Sequence, residues 1–204
     1  MRFIDLAKLE ATPLERQPFD HVVVPRFVGG LHAAALDSTF PAIDRPGSFP
    51  LGTVGAAGAF ADLAVELSSA AFRHAIERKF GIDLSQAATM FTARGWCRHD
   101  DGKVHTDSKS KIITVLLYLN PEPWQPFGGR LRLLNAEDIK AVAAEVRPDF
   151  GTLLIFRRSD QSWHGHLPYE GPRRILQMNW VTSESVAAWE RFRHAVSARV
   201  KHFT

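Results

Sequence analysis

The sequence predicts a mainly β protein of the α+β kind, with N-terminal helices packed on an antiparallel sandwich or barrel, of which a jelly roll is one form. Three observations predict it. Apolar residues recur at helical spacing from Phe60 to Phe80, through Leu63, Leu67, Ala71, Phe72, Ala75 and Ile76. After Ala88 the texture changes to short β-branched and large apolar runs separated by Gly/Pro turns. The length, 204 residues with 45% hydrophobic side chains, suits one domain able to bury a substantial core. The chain divides into a helical part (about 1–88), a β core (about 89–183) and a C-terminal helix (about 184–204).

In order along the chain, "FDHVVVPRFV" (Phe19 to Val28) reads as a short strand ended near Pro25. "GGLHAAALDSTFP" reads as a helix stopped before Pro41. Arg45 to Gly58, rich in Gly and Pro, reads as loop. The helix from Phe60 to Phe80 is amphipathic, and Gly81 stands where a left-handed cap would end it. "KIITVLLYLN" is a buried strand, "PEPWQPFGG" a loop and "RLRLL" a short alternating strand. "NAEDIKAVAAEV" reads as an inserted helix opened by Asn135, and "GTLLIFRR" and "RILQMNWV" as the last two strands.

Composition narrows the function. One cysteine excludes an internal disulfide framework and fits a cytoplasmic protein. No apolar run reaches membrane-spanning length, and "MRFIDLAKLE" is too charged for a signal peptide. The net charge is +3, but basic residues are dispersed among acidic ones. The densest cluster, Arg191 to Phe203, has the spacing of a solvated helix face, so nothing indicates nucleic acid as a partner.

"CRHDDGKVHTDSKSKIITVLLYLN" contains His-x-Asp twice. Composition alone supplies roughly one such triplet by chance, so context decides. His99-Asp100-Asp101 runs into Gly102 and reads as a turn. His105-Thr106-Asp107 precedes the most apolar strand, and in extended chain residues i and i+2 project to one side. His105 and Asp107 can therefore aim at one point, although a strand-end histidine bonded to a carboxylate would satisfy the same pattern. His164, just after a strand and before a proline-rich reversal, offers a third ligand. Two imidazoles and a carboxylate form the facial set of non-haem Fe(II) oxygenases, whereas structural zinc would want more cysteine than Cys97.

Ten residues beyond His164 stands Arg174. Alternation groups it with Leu176, Met178 and Trp180, the more apolar face, and sets Arg173, Ile175, Gln177, Asn179 and Val181 opposite. An arginine on an inward face needs an anion, and a ligand carboxylate would serve. In "KIITVLLYLN", Thr114 and Tyr118 share one face and bring hydroxyls that need partners: a backbone carbonyl, or the same ligand.

Taken together, "HTD", "YLNPEPW" followed by "GGRLRLL", "SWHGHLP" and "GPRRILQMNW" resemble the Fe(II)- and 2-oxoglutarate-dependent dioxygenases, in their prolyl 4-hydroxylase-like branch, from about Gly95 to Thr182. "PFDHVVVPRFV" resembles the opening of many bacterial members. The resemblance implies a double-stranded β-helix with iron on His105, Asp107 and His164. It implies that Arg174, helped by Tyr118 and Thr114, holds the distal carboxylate of 2-oxoglutarate. It further implies O₂ as oxidant, ascorbate as a candidate reductant, and a small-molecule or peptide substrate to hydroxylate.

Departures accompany the likeness. Many relatives carry a tyrosine on the strand before His-x-Asp, where this chain has Trp96 and Arg98. His166 competes with His164, and Arg173 with Arg174. A non-catalytic jelly-roll binding module is the alternative from another class; such a module would be expected to lack a ligand or the arginine. A metal hydrolase would leave the arginine unexplained. The loops Arg45 to Gly58 and Pro121 to Gly128 are the expected lids.

Overall fold

The structure, a computed structural model, describes Met1–Thr182. The expected C-terminal helix, with its basic cluster, His194 and His202, lies outside the described residues. The elements are α1 (Leu6–Ala11), β1 (His21–Val24), α2 (Ala33–Thr39), β2 (Phe49–Pro50), α3 (Gly58–Leu67), α4 (Ala70–Phe80), β3 (Ala88–Cys97), β4 (Lys111–Tyr118), β5 (Leu131–Leu134), β6 (Val142–Val146), β7 (Leu153–Arg157), β8 (His164–His166) and β9 (Gly171–Val181).

The strands form two antiparallel sheets. The larger runs β1-β7-β4-β9-β3-β2 and the smaller β6-β5-β8. This is the predicted jelly-roll arrangement, with helices on one side. One face of the large sheet packs Val115, Leu117, Leu176, Met178 and Trp180 against Phe60, Leu63, Leu67, Phe72 and Ile76 of α3 and α4. There the Phe72 and Trp180 rings stack at 6.1 Å. The other face packs Leu116, Tyr118, Leu154, Phe156 and Ile175 against Leu131, Leu133 and Val146 of the small sheet. Both faces are therefore covered. Each fully buried Leu, Ile or Phe contributes about 1.5–3 kcal/mol, and the two layers together supply the core.

Several elements differ from the sequence reading. The helix expected from Phe60 to Phe80 is two helices, because Ser69 leaves helical geometry (ψ 150°) and its hydroxyl accepts the Phe72 amide at 3.2 Å, an N-cap for α4. Gly81 closes α4 in the left-handed conformation, as its position predicted (φ 62°). The helix expected at "NAEDIKAVAAEV" is instead a turn followed by β6, in which alanine's helical preference yields to pairing with β5. The loop Arg45–Gly58 contains the short β2, paired to β3. The short α1, capped by the Asp5 carboxylate at the Lys8 amide, had no clear sequence signal. Among the described residues no helix is long and apolar enough to cross a membrane.

Candidate functional site

His105 and Asp107 lie on the extended segment entering β4, and His164 opens β8. The two histidines form an antiparallel bridge, and their ring centroids are 4.3 Å apart. One ligand atom from each of His105, Asp107 and His164 falls within 4.8 Å of the others, close enough to share one cation. His105 is exposed while Asp107 and His164 are buried, so the cluster opens to solvent on one side.

Each imidazole is set by its backbone. His105 Nδ1 lies 2.8 Å from the Lys103 carbonyl and His164 Nδ1 2.9 Å from the Ser162 carbonyl. A carbonyl only accepts, so both Nδ1 atoms carry the proton and both Nε2 lone pairs are available to a metal. Burial, with His105 adding to it and Asp107 opposing, pushes His164 down to about 4, which keeps it neutral at pH 7. Asp107 receives Lys111 Nζ on one oxygen at 2.8 Å and the Thr114 hydroxyl on the other at 2.5 Å. Burial opposes its charge, but Lys111, His164 and these hydrogen bonds outweigh burial and hold the carboxyl well below the usual range. Lys111 was not anticipated; a lysine four residues after the aspartate gives no signal until β4 folds back.

The cluster lines a cavity of about 450 Å³ that also receives Thr114, Leu116, Ile175, Gln177, Arg94 and Arg173. Here the expected facing of β9 is corrected. Arg173 enters the cavity wall, 5% exposed, while Arg174 leaves it and pairs with Asp37 of α2 over the Phe40 ring. Leu176, Met178 and Trp180 do face a core, but it is the helix-side core. The alternation was right. Choosing the more apolar face as the site face was wrong, because both faces are buried and the polar positions mark the one toward the cavity.

Arg173 Nε donates to the Gly129 carbonyl at 2.8 Å, and its guanidinium lies 5.4 Å from the Tyr118 ring centroid. Arg173 Nη2 and Tyr118 Oη are both buried without a hydrogen-bond partner among the described residues. Burial pushes the Tyr118 phenol up against the pull of Arg173, so it stays a donor. Two orphaned donors side by side are costly unless an acceptor meets them, and one carboxylate would satisfy both. Thr114, expected beside Tyr118, is on the same face but has its hydroxyl engaged with Asp107 and near Asn179.

The first triplet is a turn, as expected: His99 is exposed, and Asp101 accepts the Arg98 amide. His166 is buried beside the cavity, with Nδ1 on the Leu167 carbonyl and Nε2 3.8 Å from Cys97 Sγ. It is not part of the three-residue cluster. His21 is buried in β1 on the Phe19 carbonyl. Among the expected lid residues, Ser48 reaches the cavity. Arg94 on β3 was missed, although the alternation Met90, Thr92, Arg94 in "TMFTARGW" could have found it.

Residues 86–182 match the family model of the 2OG-Fe(II) oxygenase superfamily. Comparison with curated proteins gave no match. The fold is similar to a prolyl 4-hydroxylase from Phytophthora capsici (TM-score 0.61, 17% identity, 98% of this chain and 76% of that one). It is also similar to a 2OG-Fe(II) oxygenase family oxidoreductase from Burkholderia pseudomallei (0.55, 13%, 86% and 89%). A third likeness is to the viral collagen prolyl hydroxylase of Paramecium Bursaria Chlorella virus-1 (0.52, 14%, 80% and 89%).

Proposed function

We propose that the chain is an oxygenase of the 2OG-Fe(II) superfamily, whose family model matches residues 86–182, and that it hydroxylates a C–H bond of a small molecule or a peptide residue, proline among the candidates. His105, Asp107 and His164 would hold Fe(II), and Arg173 with Tyr118 would hold the distal carboxylate of 2-oxoglutarate. When bound, the iron and 2-oxoglutarate supply the oxidising power by activating O₂, with 2-oxoglutarate leaving as succinate and CO₂.

The observation that carries this reading is the orphaned pair, Arg173 Nη2 on the wall of the cavity that the three ligands also line and Tyr118 Oη buried beside that arginine. The residues present fit both groups. The tautomers offer two neutral Nε2 donors, Asp107 brings one negative charge, and Lys111 and Thr114 fix its oxygens in place. The apolar walls Leu116, Leu131, Phe156 and Ile175 exclude bulk water beside the polar ends, which strengthens each charge contact. Nothing in the site favours a purely binding module.

The test is succinate formation by the purified protein given Fe(II), 2-oxoglutarate and O₂ but no substrate. Slow release that disappears in His164→Ala and persists in His166→Ala is expected. Release that survives His164→Ala would belong to free iron and would remove the main support for the proposal.

A further inference from the structure

Arg94 is a cation in the cavity for which neither the metal cluster nor the cosubstrate has a use. On the large sheet Ile175 pairs with Tyr118 on one side and with Arg94 on the other. Tyr118, Ile175 and Arg94 thus form one row, with Arg94 two strand spacings, about 10 Å, from the tyrosine. The register shift between Arg94 and Trp96 follows at once, where Gly95 passes so close to the Ile43 carbonyl that a Cβ would stand 2.2 Å from it. The backbone is fixed there, and with it the direction of the arginine.

Of the other charged residues that line the cavity, Asp100 and Lys103 are exposed, and Asp101 is half-buried. Lys111 is engaged by Asp107, and Arg173 with Tyr118 would meet one carboxylate of the cosubstrate while its other end meets the metal. Among the described residues Arg94 makes no hydrogen bond or close ion pair; Asp101, which accepts the Arg98 amide, attracts it through space. Arg94 is half-buried, against 5% exposure for Arg173, so it stands on the wall that a second ligand can reach. Two guanidiniums sharing a partly dry cavity repel one another, and one cosubstrate carboxylate relieves only the first.

We propose that Arg94 reads a carboxylate of the substrate, so that the molecule oxidised here is an acid, held by a charge-assisted contact on the cavity wall two strands from Tyr118. This deepens the oxygenase reading and rests on it. The carboxylate belongs to a free amino acid or similar small acid, or to an acidic residue of a peptide; the arms of the test separate the two.

The experiment uses the whole protein with Mn(II) in place of iron and 2-oxoglutarate bound. Free L-amino acids, their carboxamides, and end-blocked peptides with and without an acidic residue are screened for binding by ligand NMR. The same compounds are screened for stimulated succinate release with Fe(II). Compounds that bind and stimulate should carry a carboxylate, and the matched amides should fail. Arg94→Gln should weaken their binding by at least about tenfold. It should neither lower the melting temperature nor abolish 2-oxoglutarate binding, while Arg94→Lys keeps part of the preference. Amides binding as well as acids, a preference for cations, or no acid bound by the wild-type complex would each overturn the proposal. So would an Arg94→Gln variant that loses 2-oxoglutarate as Arg173→Gln does. Wild-type protein that binds no 2-oxoglutarate would instead bring down the oxygenase reading beneath it.

Discussion

His105 and His164 are joined through their backbones: the amide of each donates to the carbonyl of the other, both at 3.0 Å. That reciprocal pair ties the segment before β4 to the start of β8, 59 residues apart by number. Two of the three ligands are therefore arranged by sheet hydrogen bonding before a cation arrives, which lowers the ordering cost of binding it.

His105→Ala, Asp107→Ala and His164→Ala are each expected to abolish tight Fe(II) binding, since a three-ligand site has no spare donor. His99→Ala should bind normally because His99 sits in the exposed turn, and His166→Ala should also retain the metal. Titration with Fe(II) or Mn(II) checks this. Metal lost on removing His166 would reassign the far-strand ligand.

Gly165→Ala should loosen the site from behind. A Cβ there would stand 2.8 Å from the Gly102 carbonyl oxygen and 3.2 Å from Val104 Cα, pressing on the segment that leads into His105. Overpacking of this kind costs about 1–3 kcal/mol. A lowered denaturation midpoint together with weaker metal binding is the expected result; a wild-type metal affinity would mean that the bridge does not depend on this close approach.

Lys111→Met leaves Asp107 buried without its cation, where both side chains are only 9% exposed. The metal-free protein should lose about 3 kcal/mol, the lower end for breaking a buried pair. Because a divalent cation can replace the ammonium, the rise in melting temperature on adding Mn(II) should be larger in the variant than in the wild type. Equal rises would show that Lys111 does little for Asp107.

For 2-oxoglutarate, Arg173→Gln should be the severe variant, by about 2–5 kcal/mol, much of it from the stranded carboxylate. Tyr118→Phe should cost about 1.5–3 kcal/mol. Arg174→Gln should leave cosubstrate affinity alone and cost at most about 1 kcal/mol of stability, since its pair with Asp37 is exposed. Anaerobic titration of the Fe(II) protein, followed by the visible band of the chelate, ranks the three.

The grouping of His105, Asp107 and His164 was legible because its signal is local on one side and chemical on the other. His105 and Asp107 share a side by strand periodicity, and His164 completes a ligand set that few other arrangements use. Tyr118 was legible as one of two hydroxyls, with Thr114, on one face of a strand whose other face is aliphatic. Lys111 and Arg94 were not, because each acquires meaning only through a partner or cavity wall brought in from another strand. Ser69 was overlooked because the apolar spacing continues across the break that its cap introduces.

By itself, the sequence determined the β-rich class, the strand periodicity, the turn at Gly102 and the residue types able to bind iron and a carboxylate, since these follow from spacing and side-chain chemistry. Which arginine enters the cavity was decided by tertiary structure alone. Alternation along β9 separates Arg173 from Arg174 but does not say which face meets which layer. With helices on one side of the sheet and strands on the other, both faces are covered, so hydrophobicity cannot choose between them. The choice falls to packing: Trp180, Met178 and Leu176 fit the helices, and Arg173, Ile175 and Gln177 are left to line the site.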